Sequence, residues 1–272
     1  MSRVANARMM QEVESIVANA SAHLLASFET LSHTDVEHKG AIDLVTRLDR
    51  EAQEIVQTGL QKAFPGEAIV AEEDDATRPE GNEVVWLVDP LDGTTNFVHG
   101  LPIFAVSVAR VRDGALELGV VEAPCLRERY GAVAGQGAFR NGQRLQVSTR
   151  SDDLGGALLA TGFPYDIRSH PTNNLAEWSH LAVRSRGLRR CGAAALDLAW
   201  VAAGRFEGFW EYRLQPWDLA AGALLIQEAG GVVTDMRGGS DFLWTGSLVA
   251  GAPPIHKALL QELGVVKAQS SR

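Results

Sequence analysis

Cysteine is scarce in this chain: Cys125 and Cys191 are the only two among 272 residues. They form neither a CxxC pair nor a disulfide framework, which excludes a disulfide-stapled scaffold and fits a reducing compartment. Long apolar runs are missing as well, so no segment approaches membrane-spanning length. The opening Met1-Ser2-Arg3-Val4-Ala5-Asn6 leads into a polar-interrupted helical pattern and has no signal-peptide apolar core, so a cytoplasmic location is expected, with no membrane association. Positive charge is in deficit, with 25 Lys and Arg against 34 Asp and Glu and a net charge of −9. That balance argues against a nonspecific grip on nucleic acid. The seven histidines show no HxxxH or HxH pairing, which removes the usual zinc signatures. There is no GxSxG nucleophile elbow and no GxxxxGK[ST] loop. Gly135-Gln136-Gly137 opens a GxGxxG match, but Arg140 stands at its final position, so a dinucleotide site is unsupported.

No Pro-, Gly- or Ser-rich linker interrupts the sequence, so one compact unit over 1–272 is expected, with approximate subdomains 1–145 and 146–272. Val13, Ile16, Val17, Ala20, Leu24 and Leu25 recur at helical spacing and predict a long amphipathic helix over 4–31. The polar, glycine-punctuated stretch 33–42 reads as a mobile loop. A second helix is expected over 47–63, stopped by Phe64-Pro65-Gly66. The short strand 68–71 follows and delivers Glu72 to its end. Strand patterns at 104–111 and 116–121 flank the turn Arg112-Asp113-Gly114. A further pair, 130–134 and 138–145, is read as closing around Asn141-Gly142. Beyond residue 157, short apolar strands alternate with helical stretches at 175–183, 193–203, 218–229 and 255–263. The first half therefore reads as α+β and the second as α/β, sharing one cleft.

The chemistry concentrates at Asp89-Pro90-Leu91-Asp92-Gly93-Thr94-Thr95, directly after the apolar run Val84-Val85-Trp86-Leu87-Val88. A strand entering at Val84 is expected to end near Asp89, where Pro90 blocks continuation, and Gly93 permits a tight turn. Two carboxylates three residues apart on a rigid turn, with oxygen donors only, favour Mg²⁺ over softer metals. A lone DxxD pair is more often a solvated surface feature than a metal site. This one has partners: Lys39, Leu44-Val45-Thr46-Arg47-Leu48-Asp49 and Glu72-Glu73 upstream, then Gly192-Ala193-Ala194-Ala195-Leu196-Asp197 and Trp217-Asp218-Leu219-Ala220-Ala221-Gly222 downstream.

Together with Asn96-Phe97-Val98-His99-Gly100, Thr161-Gly162-Phe163-Pro164 and Glu228-Ala229-Gly230-Gly231, this set resembles the inositol monophosphatase family, in order and spacing, from about Lys39 to Gly231. The resemblance implies an α+β fold, the layered αβαβα sandwich shared with fructose-1,6-bisphosphatase. It implies two or three Mg²⁺ ions held by Glu72, Asp89, the Leu91 carbonyl, Asp92 and Asp218. It also implies that Thr94, held by Asp49, orients an attacking water while Glu72 helps take its proton. Asp92, Gly93, Thr94, Gly192, Ala193, Ala194 and Asp218 are then expected to contact substrate. Glu211, seven residues before Asp218, has the family spacing for the acid that binds ring hydroxyls, with a strand-end surface acid as the alternative. Many relatives carry Ser or Thr where Ala193 stands, so any side-chain hydrogen bond there is lost.

The expected activity is Mg²⁺-dependent hydrolysis of inositol 1-phosphate or a similar small polyol phosphate, without a phosphoenzyme, by a homodimer. Fructose 1,6-bisphosphate, histidinol phosphate and a 3′-phosphoadenosine nucleotide are the alternative substrates within the same chemistry. A non-catalytic metal- or phosphate-binding regulator is the alternative of another class. Lys39 is read either as closing over the site or as a solvated loop residue. The run Arg184, Arg186, Arg189 and Arg190 is taken as a solvated face in preference to a second-phosphate or subunit contact.

Overall fold

A computed structural model of the chain describes residues 3–28, 36–38, 44–74 and 83–270. Helix α1 (Arg3–Ser27) buries Val13, Ile16, Val17, Ala20 and Leu24, as their spacing predicts, while Leu25 is left exposed. Strands β1 (Val36–His38) and β2 (Leu44–Thr46) pair antiparallel. Part of the stretch expected to be a loop is thus a short ribbon; Lys39 and the rest of that stretch lie outside the described residues. Helix α2 (Arg47–Ala63) has the predicted bounds and buries Leu48, Asp49, Ala52, Val56 and Leu60.

Strand β3 (Ala68–Ala71) runs parallel to β4 (Val84–Asp92). The short helix α3 (Thr94–Val98) follows, then β5 (Ala105–Arg112), β6 (Ala115–Ala123), β7 (Glu128–Val133), β8 (Gly137–Arg140) and β9 (Gln143–Arg144). These seven strands form one sheet in chain order, antiparallel after β3. Asp113 and Gly114 both take positive φ and close the predicted β5–β6 hairpin. Asn141-Gly142 does the same between β8 and β9, where Arg140 pairs with Gln143. The expected β7–β8 closure there is therefore corrected. A two-residue turn of this kind joins directly opposed neighbours, and Ala134-Gly135-Gln136 links β7 to β8 instead. Glu228 fastens that link by accepting from the amides of Gly135 and Gly137 at 2.7 and 2.6 Å.

The remaining elements are β10 (Leu158–Thr161), α4 (Leu175–Ala182), β11 (Gly187–Arg189), α5 (Ala194–Ala202), β12 (Gly208–Glu211), α6 (Pro216–Glu228), β13 (Val232–Thr234), α7 (Phe242–Thr245), β14 (Leu248–Gly251) and α8 (Pro253–Ser270). The second sheet has the order β11-β10-β12-β14-β13. Only its β11-β10-β12 part is parallel; β14 runs antiparallel to both β12 and β13. The sheet is mixed, where an α/β half was expected.

Layers follow from who packs on whom. Helices α1 and α2 cover one face of the first sheet, α5 and α6 touch both sheets, and α4 and α8 lie against the far side of the second. Strand β4 shows the consequence residue by residue. Trp86 and Val88 join the core beneath α1 and α2, while Val85 and Leu87 join the core shared with α5 and α6. A strand buried on both faces reads as a continuous apolar run, which is how Val84 to Val88 appears in the sequence. The middle layer fits closely: a Cβ on Gly119 of β6 would stand 2.8 Å from Ala221 Cα of α6. No helix of the described residues is long and apolar enough to cross a membrane.

Candidate active site

The acidic turn is built on an interruption of β4. Asp89 pairs with Ser107 and Asp92 with Ala105, with a register shift between them. Pro90 has no amide to donate, so the ladder breaks there, and β4 resumes as far as Asp92 in place of ending near Asp89. The bulge is locked locally: Leu91 N–H donates to Asp89 Oδ1 at 3.0 Å, and the Thr94 hydroxyl donates to the Leu91 carbonyl at 3.1 Å. Gly93 takes φ 95°, and a Cβ there would meet Ile103 O at 2.9 Å. Only glycine combines that backbone with that contact. Asn96 ties the turn to the loop before α5 by donating to the carbonyls of Ile103 and Cys191, at 2.7 and 2.8 Å.

Other elements deliver the remaining acids. Glu72 follows β3 and is set beside the end of β4 by its own N–H donating to Val88 O at 3.1 Å. Asp218 sits in the first turn of α6, where its Oδ2 accepts from Gln215 N at 2.7 Å in a capping box. Glu211 ends β12. Asp49 lies in the first turn of α2 and is buried. Apart from Asp49, every site residue expected from the sequence lines one cleft of about 140 Å³. A larger hollow of about 770 Å³ opens between α1 and the β6–β8 region and contains none of them.

Asp92 is gripped by the start of α5: Oδ1 accepts from Ala194 N at 2.9 Å and Oδ2 from Leu196 N at 3.2 Å. Helix N-terminal amides are a ready anion site. Here two of them, on Ala194 and Leu196, already serve a protein carboxylate. Ala193 stands at the N-cap and offers no side-chain cap.

The electrostatics of the cleft are unfavourable as they stand. Burial raises the Asp89 pKa, and the charges of Glu72, Asp92 and Asp218 raise it further. Burial lifts Asp92 to about 7 although the α5 amides pull the other way. Asp218 is raised by burial and by Glu72. Oxygen-only donors that disfavour their own ionisation suit a hard cation. Among the described residues these side chains are not drawn into a closed set of three or more metal ligands, so the fit to a cation rests on this donor chemistry.

Sequence reasoning missed two groups. Asp197, three residues into α5, lines the cleft at 2% exposure, and its Oδ1 has no hydrogen-bond partner among the described residues. Arg190, read with its neighbours as a solvated face, borders the same cleft, whereas Arg184, Arg186 and Arg189 are exposed away from it. A signal for Asp197 existed: from Ala195 to Ala202 it is the one charged residue in a helix otherwise apolar and buried.

The sequence pattern of the inositol monophosphatase family matches residues 6–268. The chain belongs to that family. An inositol-1-monophosphatase of Mesorhizobium japonicum is 44% identical over 269 residues, covering 99% of this chain and 100% of the relative. A protein of Pseudomonas aeruginosa named Nus factor SuhB is 48% identical over 243 residues, 87% of this chain and 89% of the relative. Among solved structures, the extragenic suppressor protein suhB of Bartonella henselae superposes with a TM-score of 0.88 at 40% identity, over 94% of this chain and 98% of that one. The inositol monophosphatase fold, α+β and layered as the sequence implied, is thereby shared by solved relatives, and the acidic turn on β4 lies within the matched span.

Proposed function

We propose that this member of the inositol monophosphatase family is a Mg²⁺-dependent phosphomonoesterase acting on inositol 1-phosphate or a similar small polyol phosphate. One observation carries the reading: Asp89 is buried in a cleft among Glu72, Asp92 and Asp218, with the start of α5 and Glu211 on the same cleft. Glu72, Asp89, the Leu91 carbonyl, Asp92 and Asp218 would hold Mg²⁺. When bound, the ion neutralises phosphoryl charge and acidifies a water, so no strongly basic side chain is required.

The chain's own groups supply the rest. Leu91 O already accepts from Thr94 and keeps a second lone pair for the ion. The Thr94 hydroxyl orients the attacking water; its one proton goes here to the Leu91 carbonyl, so support from Asp49 requires that bond to be released. Glu72 takes the water's proton. The backbone at Gly93, Gly192 and Ala193 faces the phosphate, while the Ala194 amide contributes through its hold on Asp92. The Glu211 carboxylate, buried and without a hydrogen bond among the described residues, accepts from substrate hydroxyls. The homodimer implied by the resemblance belongs to this reading, and sedimentation as a monomer at micromolar concentration would remove it.

Phosphate release from inositol 1-phosphate, fructose 1,6-bisphosphate, histidinol phosphate and 3′-phosphoadenosine 5′-phosphate, each with Mg²⁺ and with chelator, tests the proposal. Chelator-sensitive turnover dominated by the inositol ester is expected; a dominant different ester changes the substrate. A second reading, a binding role in transcription, is favoured by the name Nus factor carried by the Pseudomonas relative. Silence across the whole panel in folded, Mg²⁺-supplemented protein would transfer the weight to it.

A further inference from the structure

Asp197 stands against its surroundings. Its neighbours along α5, Ala195 to Ala202, are all apolar and buried, so an apolar side chain would satisfy every local demand of the helix. A buried carboxylate oxygen without a partner is destabilising. Asp197 Oδ1 is such an atom, in a residue 2% exposed. The Cys191 thiol and amide approach the carboxylate from the loop before α5 and favour its charged form. That leaves Oδ1 for a group that enters the cleft.

Glu211 lines the same cleft, and the charge of Asp92 also bears on Asp197. The charge of Asp197 is the largest electrostatic influence on Glu211 after burial, ahead of Asp218, with Arg190 opposing. The Glu211 carboxylate lies flat against Gly162, where any Cβ would overlap it. The missing side chain at Gly162 thus leaves room for the Glu211 carboxylate in the cleft. Two buried carboxylates with unused acceptor capacity ask for two hydrogen-bond donors. Arg190 borders the same cleft and bears on both acids, which favours neutral donors over an ammonium group.

We propose that Asp197 is a second hydroxyl acceptor, acting with Glu211 as a pair of carboxylates that grips two hydroxyls of the alcohol portion of the substrate and restricts turnover to polyol phosphates. This rests on the phosphatase reading above. The pair does no bond-breaking; it discriminates, because a site built around hydroxyls leaves buried acceptors unpaired when an alkyl or aryl ester binds.

The test compares wild type with Asp197→Asn, Asp197→Ala, Glu211→Gln and the double variant Asp197→Ala/Glu211→Gln. Each is assayed with Mg²⁺ on myo-inositol 1-phosphate, on histidinol phosphate and on p-nitrophenyl phosphate, whose alcohol carries no further hydroxyl. For Asp197→Ala, kcat/KM on the inositol ester is expected to fall about 10–100-fold, the worth of a charge-assisted hydrogen bond, with a loss on the aryl ester about tenfold smaller. Asp197→Asn, which keeps an acceptor oxygen, should recover part of the loss. The Ki of inorganic phosphate should stay within about twofold, since phosphate reaches neither carboxylate of the pair. Equal losses on the inositol and aryl esters, or a phosphate Ki rising in step, would overturn the proposal and make Asp197 a support for α5. A variant loss confined to histidinol phosphate would overturn it in favour of an ammonium group. Should wild type hydrolyse neither these esters nor the others of the panel above, the phosphatase reading fails on its own account. Calorimetric binding of myo-inositol 1-phosphate then decides for Asp197: weakened binding in Asp197→Ala sustains the hydroxyl contact, and equal affinity removes it.

Discussion

Asp92→Asn separates the cost of an ionised carboxylate in the cleft from the hydrogen bonds that it accepts. Burial lifts the Asp92 pKa from 3.8 to about 7 despite the amides of Ala194 and Leu196. An acid whose folded pKa is raised contributes its full stability below the unfolded value and loses it as pH climbs to the folded value. By pH 8, with no metal bound, that loss is ~4 kcal/mol, at 1.36 kcal/mol per pH unit. Asparagine cannot ionise and escapes the loss, but it has one acceptor oxygen for two helix amides and forfeits ~1–3 kcal/mol. The two effects roughly cancel near pH 5, and the variant gains ~1–3 kcal/mol over wild type at pH 8. Thermal unfolding in chelator at several pH values reads this out. At ~2–4 °C per kcal/mol, the Tm of the variant relative to wild type should rise by roughly 5–10 °C between pH 5 and pH 8. Saturating Mg²⁺ at pH 8 should close the gap by stabilising wild type more, while turnover of the variant stays near zero. A Tm difference that does not change with pH would refute the reasoning, because Asp92 would then not be carrying an ionisation cost.

Three further perturbations follow from contacts already described. Gly119→Ala drives a Cβ into the α6 backbone at Ala221; a cost of ~1–3 kcal/mol is expected in urea unfolding, and a midpoint equal to wild type would mean that the middle layer shifts freely. Gly162→Ala displaces the Glu211 carboxylate, so KM for inositol 1-phosphate should rise about tenfold while p-nitrophenyl phosphate is affected less; parallel losses in steady-state kinetics would contradict a binding role. Burial lowers the pKa of His256, whose Nε2 meets Thr234 Oγ1 at 2.8 Å. A depressed folded pKa means stability present above the unfolded value near 6.5 and lost as pH falls below it. The urea midpoint should therefore drop between pH 7 and pH 5.5, and His256→Gln should flatten that slope; an unchanged slope would clear His256.

Much of the fold was legible because burial imposes a period. Helix α2 and strand β3 occupy the predicted residues, and the Asp113-Gly114 hairpin closes as expected. What escaped depends on partners distant in sequence. Asn141-Gly142 announces a tight turn, yet which strands it joins is fixed by register across the sheet. The mixed second sheet arises from β14 returning antiparallel beside β12, a choice that no local periodicity encodes. At the site, the acidic turn and its order of acids were readable because β4, the bulge and α6 are local devices. Asp197 was hidden because its meaning lies in the groups it faces, and Arg190 because a run of arginines looks solvated until one of them is found at the rim of a cleft.

The helical layer touching both sheets sets an order of events during synthesis. The inner face of the first sheet, including Leu87, Ala109 and Val121, joins the core that α5 and α6 complete. Those strands leave the ribosome early, and the covering helix α6 ends at Glu228, roughly a hundred residues after β6. At ~5–20 residues per second the apolar face waits on the order of 5–20 s for its cover. Asp218 arrives on that same helix, so the first sheet becomes sheltered and the set of cleft acids becomes complete in one step. A nascent chain cannot acquire the full set of acids while its sheet is still bare.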